Sequence, residues 1–149
     1  MIKKSYLNVA RMIAINSSQI DEIIKKILRE YRISPFSFWV LEALKNGQKI
    51  TPTEICKITS GKNANVSCRL DELIKKKFVR QCKNQTDDRR KNFFQITTQG
   101  KKILEAIRQN TISVESYFEK SFDIVELKQM EKIFAKMNKI IKEFKNVEK

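Results

Sequence analysis

From Tyr6 to Tyr31 the apolar residues Val9, Ile13, Ile20, Ile23, Ile24, Ile27 and Leu28 recur mostly at intervals of three and four. That spacing predicts an amphipathic helix, with a bend expected at the polar run Asn16 to Ser18. Ser34 and Pro35 read as an N-cap and a proline at the first helical position. A second helix therefore runs through FSFWVLEALK and ends at NGQ. Thr51, Pro52 and Glu54 form a capping box that opens a short third helix, PTEICKIT, followed by the turn SGKN. A fourth helix extends from about Asn63 to Lys76 and buries Val66, Leu70, Leu73 and Ile74. The period then changes: FVRQC and NFFQI are short and strand-like, joined by the polar KNQTDDRRK, which predicts a hairpin.

Thr97 caps a helix whose apolar positions Ile103, Leu104, Ile107, Val114 and Phe118 carry it to about Phe118, and Asp123 with Glu126 makes a second capping box. The last helix carries Leu127, Met130, Phe134, Met137, Ile141 and Phe144, alternating gaps of three and four. Such a seam belongs to coiled-coil-like packing. Core packing is its commoner cause, and a subunit interface has the same look. The order helix, helix, short helix, helix, hairpin, helix, helix describes a mostly α chain with a small β-hairpin wing, a winged helix-turn-helix. Nothing between residues 1 and 149 reads as a domain linker, so a single domain is expected, with residues 35–97 as its helix-turn-helix and wing lobe.

Composition adds charge to this picture. The 149 residues carry a net charge of +14, which favours an anionic partner, with nucleic acid the commonest. There is no histidine, which rules out histidine-based catalytic triads and histidine-containing zinc sites. The three cysteines, Cys56, Cys68 and Cys82, have no metal-ligand spacing. No metal or cofactor is expected. The basic start of the chain reads as a helix and not as a signal peptide, because Arg11 interrupts its apolar part. No run approaches the roughly 20 apolar residues of a membrane span. A cytoplasmic location without membrane association is expected.

On a helical wheel Val66, Leu70 and Leu73 share one arc of the fourth helix, while Ala64, Cys68, Asp71 and Lys75 lie opposite, flanked by Asn65 and Ser67. Its N-terminal half, with Lys62, Asn63, Asn65 and Ser67, is small and polar. Such a helix suits the major groove: asparagine pairs bidentately with adenine, serine contacts bases or phosphate, and phosphates meet the positive helix end. Ten Lys or Arg and four Asp or Glu fall between Lys62 and Lys91, a net charge of +6, and Lys83, Arg89, Arg90 and Lys91 concentrate it on the hairpin loop. A basic loop beside a recognition helix reaches the adjacent minor groove. Within it Asp88 is expected to hold the Arg90 guanidinium in a fixed geometry before DNA arrives, with Asp87 as a turn residue.

The run from Thr51 to Leu104 resembles the winged-helix core of the MarR family, the multiple-antibiotic-resistance regulators of bacteria. LDELIKKKFVRQ resembles the end of the family's recognition helix and first wing strand. DDRRKNFFQITTQG resembles its Asp-x-Arg wing followed by Leu-Thr-x-x-Gly, so that Asp88 and Arg90 match the wing pair by position. The strong match spans about a third of the chain. The resemblance implies an obligate homodimer, with residues 1–33 and 98–149 as dimerisation helices and a recognition helix in each major groove of a pseudo-palindromic operator. It further implies a repressor released by a small aromatic ligand or by cysteine oxidation. The ligand cleft would lie between the dimerisation helices and the DNA-binding lobe, and Tyr31, Phe36, Phe38, Trp39 and Tyr117 are candidates to line it, although core packing serves most aromatic residues.

Three departures from the pattern stand out. Cys68 occupies a place where relatives often carry arginine, which removes a DNA contact; facing DNA beside cations it is a candidate thiol switch, against the commoner reading of a small residue tolerated at a groove surface. Lys77 replaces the glycine that commonly ends the recognition helix, where a left-handed cap strains lysine by roughly 1 kcal/mol, so a different helix end is expected. Ile96 stands for the usual leucine. Peroxide-sensing relatives carry a cysteine near the start of the first helix and zinc-sensing ones need histidine; this chain has neither. The alternatives are an architectural DNA-binding protein with little sequence preference, a protein–protein module built on the C-terminal heptads, and an enzyme, against which the lack of a phosphate loop or clustered carboxylates speaks.

Overall fold

The computed structural model describes residues 5–82 and 92–147, and the side chains of 7–82 and 92–146. The elements are α1 (Ser5–Leu28), a 3-10 turn (Arg29–Tyr31), α2 (Pro35–Ala43), α3 (Pro52–Thr59), α4 (Asn63–Lys75), β1 (Val79–Cys82), β2 (Phe93–Ile96), α5 (Thr98–Ser121) and α6 (Ile124–Val147). This is the winged helix-turn-helix order expected. α1 is continuous across the expected bend, where the Asn16 side chain turns back and donates to the Met12 carbonyl at 2.8 Å.

The helix starts follow from their caps. The Ser34 hydroxyl accepts from the Ser37 amide at 3.1 Å. The Thr51 amide donates to Glu54 at 2.7 Å, and the Glu54 amide donates back to the Thr51 hydroxyl at 3.3 Å. Asp123 and Glu126 exchange the same pair of bonds at 2.9 and 2.8 Å. Each box satisfies helix-end donors that would otherwise lack partners.

The end of α4 corrects the expectation for Lys77. It does adopt the left-handed conformation, with φ +61. Its amide donates to the Ile74 carbonyl at 2.8 Å and the Phe78 amide to the Leu73 carbonyl at 2.9 Å. These are the two bonds of a Schellman end. The Thr97 hydroxyl then donates to the Lys77 carbonyl at 2.7 Å. The turn is held from both sides, which offsets the strain at a residue with a Cβ.

β1 and β2 pair antiparallel, Val79 opposite Ile96 and Cys82 opposite Phe93. On its other side β2 exchanges two backbone bonds with Ile50, at 3.1 and 2.9 Å, which ties the α2–α3 loop to the hairpin. After β2, Thr97 accepts from the Gly100 amide at 3.0 Å and caps α5. A Cβ on Gly100 would lie 2.1 Å from the Phe78 carbonyl oxygen. The Thr-x-x-Gly spacing therefore has a physical cause: threonine caps the helix, and glycine lets its first turn press on the backbone that leaves α4.

The chain divides into two compact units, Met1–Asn110 and Thr111–Lys149. The first holds one core, in which Leu28, Val40, Leu41, Leu44, Ile55, Val66, Leu70, Leu73, Leu104 and Ile107 are buried with residues of both strands. The second has no buried residue among those described. This corrects the core reading of the C-terminal seam. Met130, Phe134, Ile141 and Phe144 are 42–64% exposed in the single chain. α1 shows the same feature: Val9, Met12, Ile15, Ile20 and Ile23 are exposed, and among its described side chains only Leu28 at its end is buried.

Candidate nucleic-acid interface

α3 and α4 are joined by Ser60 in the left-handed conformation, φ +54, and by Gly61. A Cβ on Gly61 would lie 2.5 Å from the tip of the Phe36 ring, so that ring seals the turn against α2. The residue before α4 is Lys62, whose side chain makes no capping bond. Its first amides are therefore available to an anion.

The two sides of α4 divide as the wheel predicts. Val66, Leu70 and Leu73 are buried, whereas Lys62, Asn63, Ala64, Asn65, Ser67, Cys68, Asp71 and Lys75 are exposed. One flank opens onto a basin of about 720 Å³ whose lining includes Thr51, Thr53, Lys57, Asn63, Ser67 and Asn92. The Asn63 side-chain Oδ1 accepts from the Cys56 thiol at 3.0 Å, so the side chain is held from α3. At the base of the wing the Gln81 amide donates to Asn92 at 3.0 Å. Lys83, Asp88, Arg89, Arg90 and Lys91, with the proposed pairing of Asp88 and Arg90, lie outside the described residues.

The opposite flank of α4 holds an arrangement the sequence reading did not single out. Glu72 accepts from the Ser37 hydroxyl on α2 at 3.0 Å, from the Arg69 guanidinium at 2.9 Å and from the Lys76 ammonium at 3.0 Å. Lys76 also donates to the Arg32 carbonyl, and Ser37 is fully buried. Partial burial pushes the Glu72 carboxyl upward, but the bonds from Arg69, Lys76 and Ser37 outweigh it and hold the group below the usual carboxylate range. Two cations in the +6 count of this region thus face an internal carboxylate. The spacing Arg69, Glu72, Lys76 was visible as intrahelical pairs; the contact with Ser37, 35 residues earlier, was not.

The candidate aromatic residues have separate partners. The Tyr31 hydroxyl donates to the Ala106 carbonyl at 3.2 Å and accepts from Asn110 at 2.5 Å; desolvation, then Glu30, raises its pKa. Trp39 packs on Phe38 with ring centroids 5.0 Å apart and lines a pocket of about 510 Å³ with Glu42, Ala43, Lys45, Asn46, Ile58 and Thr59. Neither Tyr31 nor Phe36 lines that pocket. Tyr117, in the second unit, is 74% exposed. All three cysteines are free, and Cys68 is the exposed one. Among the described residues no group of side chains has the makeup of a metal site, and no helix is long and apolar enough to cross a membrane.

No protein-family model matches the sequence, and no curated protein does. Solved structures do. Apo MarR from E. coli is 25% identical over 86% of this chain and 95% of that one, with a TM-score of 0.69. A cysteine-to-serine mutant of the same protein in complex with operator DNA is 23% identical over 92% of this chain and 97% of that one, at 0.77. BpsR of Bordetella bronchiseptica, whose DNA binding is regulated by 6-hydroxynicotinic acid, is 18% identical over 88% of this chain and 98% of that one, at 0.75.

Proposed function

We propose that the chain is a MarR-type DNA-binding transcription regulator that acts as a homodimeric repressor of a pseudo-palindromic operator. The observation that carries this reading is the division of α4. Its inner side is buried, and its outer side exposes small and polar groups. Asn63, Asn65, Ser67 and Cys68 would face base edges, with Lys62 and Lys75 on phosphates. Lys83, Arg89, Arg90 and Lys91 would supply the wing contact, Arg90 in the minor groove with Asp88 orienting it. The second copy would cover the apolar rows of α1 and α6, as an isologous interface requires. Release by a small aromatic ligand is the reading consistent with the regulated BpsR.

The test is fluorescence anisotropy on DNA upstream of the protein's own gene beside a scrambled duplex. Specific binding predicts a preference of at least ~1,000-fold near physiological salt. Equal affinity, with the same salt slope, would favour an architectural role or an operator elsewhere, and selection of genomic fragments separates those two. Arg90→Ala is expected to weaken operator binding by roughly 1–3 kcal/mol, and Asp88→Ala by less. Unchanged affinity in Arg90→Ala would end the wing argument.

A further inference from the structure

The arrangement around Glu72 goes further than holding two helices together. Its carboxylate is fixed from the core side by Ser37, whose hydroxyl is also within 2.8 Å of the Ser34 hydroxyl. The side chains of Arg69, Glu72 and Lys76 are 33%, 26% and 30% exposed, so the cluster sits at the edge of the surface. On the wheel these three lie along one flank of the outward side of α4, next to Asn65. A helix lying in a major groove has the groove's phosphates along its flanks. Arg69 and Lys76 have the length to meet those phosphates, yet both point their charge at Glu72, Lys76 sharing its ammonium with the Arg32 carbonyl. The Arg69 Nε is buried without a hydrogen-bond partner, so the guanidinium is held there by the carboxylate and not by a complete set of bonds.

Phosphate contacts add affinity for any sequence, whereas base contacts distinguish sequences. Freeing two cations beside the reading face would strengthen binding to bulk DNA and leave the base contacts as they are. We propose that Glu72 restrains the sequence-independent attraction of the recognition helix for DNA: it masks Arg69 and Lys76, so that less of the binding energy comes from phosphates and a larger share from contacts with base edges. This rests on the DNA-binding reading above. Glu72 touches no DNA in this role and acts through the two cations and through the seat of α4 on Ser37.

The experiment is a salt series of anisotropy titrations on a mixed-sequence duplex, with the full chain and its Glu72→Gln variant. Glutamine keeps an acceptor for Ser37 and removes the charge. Two added phosphate contacts steepen the slope of log affinity against log salt by about 1.8, so the variant's excess affinity shrinks about 12-fold between about 50 and 200 mM salt. Arg69→Gln and Lys76→Gln, each with Glu72 intact, are expected to keep the wild-type slope; combined with Glu72→Gln, each takes away about half of the gain. Should Glu72→Gln fail to fold, Glu72→Asp, too short to hold both cations, is expected to gain about 0.9 in slope, the value of one phosphate. Superimposable lines for wild type and the folded charge or length variant would overturn the inference, and so would a shallower slope in either single cation variant. Wild-type protein that binds no duplex would overturn the DNA-binding reading, and this inference with it.

Discussion

α4 and α6 carry the same kind of message in sequence and meet opposite fates. Both place apolar residues at helical spacing on one side. In α4 those residues, Val66, Leu70 and Leu73, are at most 1% exposed. In α6 Met130, Phe134, Ile141 and Phe144 keep 42–64% of their surface. Periodicity states that a face must be covered; it does not state by what. For α4 the cover is α2, α3 and the strand that follows, all within about 40 residues in the chain. For α6 a second copy of the chain is the cover that the dimer reading supplies.

Predictions follow that contrast from its largest consequence. Phe134→Asp should act on association. Each side chain buried in an isologous interface counts twice, at ~1.5–3 kcal/mol apiece, so dimerisation should weaken about 100-fold or more. Sedimentation velocity across a dilution series reads this. A variant that stays dimeric would mean that the seam is not the interface. Leu70→Ala should act on the lobe instead, removing roughly 2–5 kcal/mol from its unfolding free energy in denaturant titrations while the folded protein keeps its oligomeric state. If this change dissociated the protein as readily as Phe134→Asp, the two regions would not be distinct.

Gly100→Ala tests the joint between α4 and α5. The added carbon has no room against the Phe78 carbonyl, so a loss of roughly 1–3 kcal/mol is expected by thermal or chemical unfolding. A neutral substitution would mean that the first turn of α5 yields easily. The smallest effect concerns acid. The Glu72 carboxyl is held below its ordinary range in the folded protein, so its contribution is present above the unfolded pKa, near 4.3 for a free glutamate, and lost as pH falls through the lower folded value. Stability of the wild type should therefore fall more steeply below about pH 4 than that of Glu72→Gln. Parallel acid profiles for the two proteins would contradict this.

Local chemistry was legible in the sequence. Ser34, Thr51 and Asp123 announce their helices because a cap and its partner lie three residues apart. The buried and exposed sides of α4 were legible because one arc of a wheel settles both. What escaped depends on distant chain. Ile50 pairs with Phe94 across 44 positions, and nothing local marks it as a strand residue. The left-handed Lys77 looked unfavourable by itself, and Thr97 stabilises the turn from 20 residues away. The charge count already subtracted Glu72, but it did not show that this one carboxylate holds both Arg69 and Lys76 and is seated by a serine on another helix. The C-terminal seam was legible as an apolar row with two covers open to it, the chain's own core and a second copy; its residues stay exposed in the single chain.

Hydroxyl-radical footprinting on a genomic fragment selected by the protein tests the central claim most directly, because it reads DNA recognition and dimer symmetry at once. Two protected patches related by a two-fold axis are expected, their centres about one helical turn, roughly 34–36 Å, or a multiple of it apart. A single unpaired patch, or protection spread evenly along the fragment, would contradict the account.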